Sequence, residues 1–387
     1  MNLNALKSIL DIKKRKNLYN EILDSLRELK AVKYFKYIEF ETSEGIVPFV
    51  YVAKEFDINR INSVKVFVGA QHNEYNGLFG ILEFLNLLET EKLNSSEILQ
   101  DNQILIFAPL MNPYGFLNPT TENKTGYYLK NGSNLNRFWR GTFVTEYEKL
   151  REDLNGFPIP EIATIFKNLL KEYWERNEIA IYFIDFHETS LLEKFPKELS
   201  LNLKNESYTY RFDHWLKEGI IANVIKLYNI PYYEKPLFRK CNPSADHTHL
   251  NLSIQQIDLV FEKLLDYLSK NQGKLPFYFC YNQKSKEYCE KLANQVYNKL
   301  EDKLYDTYYV SFDHYFHDHG CFVKMSDSTT REKVYSIELE AIKQFFNIFE
   351  EIEKSEMDAD YFEKKLNSIN VSIELVVETI IEMIKLF

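Results

Sequence analysis

Three short runs of this chain leave little choice of fold. Ser63 to Gly69 (SVKVFVG), Gln103 to Ala108 (QILIFA) and Ile179 to Phe186 (IAIYFIDF) are rich in β-branched and aromatic residues and nearly free of polar ones. Runs this short and this apolar read as strands buried on both faces. Helical patterns lie between them: an apolar segment opened by Gly77 and running to Leu88, and an amphipathic one from Glu161 to Arg176. Strands alternating with helices predict an α/β fold, with a mixed, mainly parallel sheet covered by helices on both faces.

The same rules place the remaining elements. Leu18, Ile22, Leu26 and Leu29 mark one face of an N-terminal helix. Tyr37 to Phe40, Val47 to Val50 and Glu332 to Leu339 read as strands; residues 286–300, Ala341 to Ile352 and Asp360 to Phe387 read as helices. A long loop is expected from Met111 to Asn134. The predicted organisation is an N-terminal helical segment (1–30), a large α/β domain (31–352) and a C-terminal helical segment (353–387). Within the domain, residues 195–275 carry Pro231, Pro236, Pro243 and short apolar runs, and are expected to form an insertion that shapes a pocket.

Composition narrows the partners. A chain of 387 residues, 45% hydrophobic and 15% aromatic, has the material for a large core. Its net charge, 47 − 57 = −10, argues against nucleic acid as the main partner. No run approaches the roughly 18 apolar residues of a membrane span. The start, MNLNALKSILDIKKRKN, lacks an apolar signal core. No membrane partner and a cytoplasmic location are therefore expected. Cys241, Cys280, Cys289 and Cys321 show no CxxC spacing and read as reduced, buried thiols. Of only 12 glycines, six lie between Gly69 and Gly132, which predicts tight loops there.

Polar clusters fall where the buried runs stop. Gln71-His72-Asn73-Glu74 follows the first, Asn112-Pro113-Tyr114-Gly115 the second, and Asp185-Phe186-His187 ends the third. Ligands of such sheets sit at the carboxyl ends of the strands. A carboxylate oxygen at Glu74 and an imidazole nitrogen at His187 both suit zinc, whose hydrolytic sites use three protein ligands and one open position. Asp185 lies two residues before His187, so both side chains share a face, and Asp185 can orient the imidazole. Glu338 stands alone on a β-branched, aromatic strand (VYSIEL) as a candidate general base, with Glu340 on the same face as second choice. Taken singly, Glu74 also reads as an acid at a helix N-terminus, and His187 as a satisfied strand-end histidine. Asp313-His314, His317, His319 and the pair His247 and His249 could form a second metal site or line the pocket.

In this order the clusters resemble the zinc carboxypeptidase superfamily, which includes the aspartoacylase and succinylglutamate desuccinylase branch. Its pattern, Gly-x-His-x-x-Glu-x-x-Gly, Asn-Pro-x-Gly, Asn-Arg, Asp-x-His and a late strand glutamate, is matched over residues 60–345 by Gly69 to Gly77, Asn112 to Gly115, Asn136-Arg137, Asp185 to His187, and Glu338. The resemblance implies one zinc ion and Glu338 as catalytic base. It also implies that Asn136 and Arg137 bind a substrate carboxylate, and that Tyr315 is the tyrosine upstream of the glutamate strand. Arginine suits carboxylate because its planar fork pairs in two hydrogen bonds.

Two departures matter. With Gly69 and Gly77 aligned, Gln71 falls where the family has its first histidine, and His72 is one position late. Gln71 as first ligand, with Glu74 and His187, resembles the DL-carboxypeptidases that trim cell-wall peptides in helical bacteria; a local shift bringing in His72 is the alternative. The family's arginine that polarises the scissile carbonyl is also missing between Leu117 and Ser133, where Lys124 or Lys130 could replace it. The resemblance implies a metallocarboxypeptidase-like hydrolase acting on a short peptide, with a cell-wall peptide favoured by Gln71. The other readings are an amidohydrolase acting on an N-acyl amino acid and a peptide-binding module without activity.

Overall fold

A computed structural model describes residues 12–29, 33–144 except 121, 124 and 125, 156–189, 269–305, 309–311, 320–342 and 359–386. Between 209 and 267 it describes residues 209–212, 224, 227–230, 233–234, 248–251, 259, 262–263 and 265–267. The main sheet has eight strands: β1 (Phe35–Thr42), β2 (Gly45–Val52), β3 (Ser63–Val68), β4 (Gln103–Ala108), β5 (Ala180–Thr189), β9 (Phe277–Tyr281), β10 (Tyr309–Ser311) and β11 (Val334–Ile342). Their spatial order is β1-β2-β4-β3-β5-β11-β9-β10. β6 (Thr209–Phe212), β7 (Tyr233–Glu234) and β8 (Thr248–Asn251) form a small separate sheet inside the expected insertion. The pairs β3–β4, β3–β5, β5–β11 and β9–β10 are parallel; β1–β2, β2–β4 and β9–β11 are antiparallel.

The three buried runs form the centre of this sheet, as their composition predicts. One face carries Phe67, Phe107 and Ile184 beneath α1 (Ile12–Glu28), α2 (Asn76–Glu89), α7 (Lys286–Leu300) and α9 (Ala359–Leu386). The other carries Val64, Val66 and Phe183 against Trp139 of α5 (Trp139–Phe143), Phe166 of α6 (Glu161–Trp174) and Phe322 of α8 (Phe322–Ser328). Arg331 fastens the end of α6 by donating to the carbonyls of Tyr173 and Trp174 in its last turn, and to those of Arg176 and Ile179 in the segment that leads to β5. On the first face, fully buried Lys65 of β3 donates to Gln103 Oε1 and, at 3.2 Å, to the Ile384 carbonyl in the last turn of α9. Burial pulls the Lys65 ammonium down to about 7.

Strand order explains where a site can form. From β3 the chain moves to β4 on one side, then returns to β5 on the other, so a crevice opens at the carboxyl end of β3. Two glycines make α2 fit there. A Cβ on Gly69 would lie 2.9 Å from the Gly77 backbone, and one on Gly77 would lie 2.6 Å from Phe186 Cβ. Helix and sheet therefore approach more closely than any side chain allows.

Differences from the sequence reading are local. Ala341 and Ile342, expected to open a helix, extend β11 because they pair with Glu188 and Thr189; the rest of that expected helix lies outside the described residues. The long loop after β4 contains a short helix, α4 (Pro113–Leu117), capped by Asn112 Oδ1, which accepts from Gly115 N–H at 2.8 Å. Strands β9 and β10 carry no element in the sequence reading; FYFCY has an aromatic signal, but the parallel pairing of β10 on β9 is a tertiary fact. Cys280, Cys289 and Cys321 are free and buried, and Cys241 lies outside the described residues. Among the described residues no helix is long and apolar enough to cross a membrane.

Substituting Gly77→Ala is expected to lower unfolding stability by about 1–3 kcal/mol, the usual cost of overpacking a tight contact. Urea unfolding of both proteins, followed by far-UV circular dichroism, checks it.

Candidate metal centre

Three strand ends, those of β3, β5 and β11, converge on His187. In the parallel ladder, Glu338 pairs with Asp185 and Glu340 with His187, so these four side chains share one face of β5 and β11. Glu74 arrives from the loop between β3 and α2. That loop turns sharply at Ala70, whose φ of 47° is in the left-handed region that L-residues avoid at about 1–2 kcal/mol. The turn is held by Asn112 N–H, which donates to the Ala70 carbonyl at 3.0 Å.

The result is a buried knot of charge. His187 Nδ1 lies 2.7 Å from Glu74 Oε2; its Nε2 lies 2.9 Å from Asp185 Oδ2 and 3.8 Å from Glu338 Oε1. None of these four residues is more than 6% exposed. Burial alone would depress the His187 imidazole, but Asp185, Glu338 and Glu74 outweigh it and hold its pKa well above the usual value. Without metal it is therefore an imidazolium donating to Glu74 and to Asp185. Burial lifts Glu338 to about 7, despite the opposing pull of His187 and Arg137.

His72 behaves oppositely. Burial lowers its pKa, so it is neutral. Its Nε2 faces Asn134 Oδ1 at 2.8 Å, an oxygen that can only accept, so the single ring hydrogen sits on Nε2. The Nδ1 lone pair is then left 3.4 Å from Glu74 Oε2. Two acceptors face one another with no hydrogen between them, which is a natural seat for a cation. Donor atoms of His72, Glu74 and His187 lie within 4.8 Å of one another, and so do those of Asp185, His187 and Glu338. Buried Asp185 Oδ1, Glu338 Oε2 and Asn136 Oδ1 have no hydrogen-bond partner among the described residues. An oxygen-rich, imidazole-containing pocket with surplus negative charge fits a divalent metal such as zinc.

Both ends of the amide of Gln71, the expected first ligand, are engaged, one of them at Asp185 within the site. Trp139 Nε1–H donates to Gln71 Oε1 at 2.6 Å, and Gln71 Nε2–H donates to Asp185 Oδ2 at 2.5 Å. An indole N–H only donates, so the amide oxygen must face Trp139. His72 lies beside Glu74 and His187, with its Nδ1 3.4 Å from Glu74 Oε2. Asn136 lies in a 3₁₀ turn, Leu135–Arg137, with Nδ2 3.3 Å from His187 Nε2. Arg137 is half-buried and close enough to counter the charge of Glu338. Tyr315, Lys124, His247, His314, His317 and His319 lie outside the described residues, and of His249 only the backbone is described.

The sequence reading missed three supports. The Tyr127 ring stacks on His72 with centroids 4.1 Å apart. Asn134 holds the His72 tautomer, accepts Asn136 N–H at 2.8 Å, and donates to the Tyr127 hydroxyl at 3.2 Å. Trp139 anchors Gln71. Asn134 stands in the turn-rich run SNLNRFW, which was a usable signal; Tyr127 is one of 27 tyrosines and gave none.

No protein-family model matches the chain, and no curated protein matches it. Among solved structures, the chain is similar to a carboxypeptidase A from Helicoverpa armigera (12% identity, 94% of this chain and 73% of that one, TM-score 0.44). It is also similar to a metallo-carboxypeptidase from Burkholderia cenocepacia (10% identity, 92% and 68%, TM-score 0.43). A third is thrombin activatable fibrinolysis inhibitor (9% identity, 97% and 74%, TM-score 0.48). At such identities and scores this is a likeness, and what the chain does must be read from its own side chains.

A divalent metal bound here would displace a proton from the raised His187. Its affinity is therefore expected to rise with pH, by up to about tenfold per unit, until the pH passes the metal-free His187 pKa. Calorimetry in buffers of different ionisation enthalpy measures the released proton.

Proposed function

We propose that this chain is a zinc-dependent hydrolase of the metallocarboxypeptidase type that removes the C-terminal residue from short peptides. The observation that carries the reading is the convergence of His72, Glu74 and His187 within 4.8 Å, with Glu338 on the same pocket wall. His72, Glu74 and His187 would hold the metal. When bound, zinc supplies a water nucleophile at neutral pH and a Lewis acid for the scissile carbonyl. The residues of the chain supply the rest. Asp185 receives the Nε2 hydrogen of His187 and fixes that ring. Glu338, held near 7 by burial, is suited to take the proton of the attacking water and hand it to the leaving nitrogen. Arg137, beside Asn136, is proposed to grip the terminal carboxylate. Tyr315 and Lys124 are proposed as substrate contacts from their sequence positions alone.

The cell-wall reading rests on Gln71 at the metal. With His72 proposed in that place instead, the substrate proposed is a short peptide with a free carboxylate.

Two sets of variants test this. Glu338→Gln is expected to keep stoichiometric zinc while peptide hydrolysis falls by about 10²- to 10⁴-fold, the usual contribution of a general base; undiminished turnover would reject Glu338. His72→Ala is expected to lose more zinc than Gln71→Ala, read by atomic absorption after dialysis. The opposite order would return the first ligand to Gln71. Release of amino acids from peptides, but not from N-acyl amino acids, supports the peptidase over the amidohydrolase.

A further inference from the structure

We propose that Glu188 is a positioning residue that sets the separation of Glu74 and His187. The inference rests on the reading of these two residues as metal ligands, and holds whichever of Gln71 and His72 is the third.

Glu74 and His187 are 113 positions apart in the chain and belong to different elements. Metal ligands must be held to within about 0.5 Å of their working geometry, by neighbours that are themselves fixed. Glu188 follows His187 on β5, so it points to the opposite face of the strand, towards α2. It is 3% exposed. Its Oε1 accepts Tyr75 N–H at 3.0 Å and Asn76 N–H at 2.7 Å. A third bond runs from Asn76 Nδ2–H to the His187 carbonyl at 3.2 Å. The residues directly after Glu74 are thus tied to His187 and its neighbour by three hydrogen bonds.

The local chemistry explains why a carboxylate is buried here. Helix α2 spans 14 residues with no acid in its first turn, and its cap residue Tyr75 makes no side-chain cap bond. Its orphan N–H groups and positive dipole end need an anionic acceptor, and β5 supplies one. The acid that satisfies the helix also fastens the strand bearing one ligand to the loop bearing the other. A merely structural cap would change stability; a positioning residue must also change the metal.

The test uses the full chain. Glu188→Ala is expected to bind zinc about 10- to 100-fold more weakly, as loss of a ligand-orienting contact does, and to alter the visible spectrum of the cobalt-substituted protein. Glu188→Gln retains a carbonyl acceptor and is expected to restore most of the affinity. In metal-free protein, hydrogen exchange at Tyr75 and Asn76 should be slow in the parent and faster in Glu188→Ala. If Glu188→Ala does not fold, Asn76→Ala removes the bond to the His187 carbonyl and is expected to weaken zinc by about fivefold, the worth of one neutral hydrogen bond. A folded Glu188→Ala, or Asn76→Ala, with the parent's zinc affinity and cobalt spectrum overturns the positioning role while leaving the metal centre standing. A parent protein that takes up no zinc overturns both.

Discussion

Three carboxylates around one buried imidazole, Glu74, Asp185 and Glu338 about His187, form the constraint from which the rest of the site follows. Charges of one sign cannot be gathered out of water without compensation. The metal-free site answers with an imidazolium and a Glu338 raised to about 7. Both are the responses of a pocket built for more positive charge than side chains supply. A divalent ion would remove the need for each, and the site would exchange protons for metal rather than simply add it.

The fold makes this concentration of charge mechanically possible. The reversal of strand order at β3 brings the ends of β3, β5 and β11 side by side. Close approach at Gly69 and Gly77, and the left-handed turn at Ala70, press the Glu74 loop down onto them. The Asn112 motif that opens the loop after β4 acts indirectly. Asn112 binds its own turn at Gly115 and the Tyr128 carbonyl, bracing the segment that carries Tyr127 against His72. That motif supports the site at one remove.

Much of this was legible because burial leaves a strong mark on composition. SVKVFVG and QILIFA cannot be mistaken for surface, and each is followed within four residues by a polar cluster with no reason to stand there unless it faces something. Asp185 and His187 were readable as a pair because the period of a strand is two. Neighbouring positions were harder. Gln71 and His72 are one residue apart and both are buried; what each side chain meets depends on the backbone at Ala70 and on the Trp139 indole, neither visible in a local window. Glu188 was hidden for a similar reason: its helix partner lies 112 positions away.

Lys65 leads to a consequence for the protein in alkaline solution. In the unfolded chain its amine would keep a proton up to the ordinary lysine value of 10.5, whereas in the core, desolvation lets that proton go near 7. Between those limits folding expels a proton, so removing protons from the solvent favours the folded chain, at no more than about 1.4 kcal/mol per pH unit for this one group. The seam between β3 and the last turn of α9 should therefore close more firmly in mildly basic water than in neutral water.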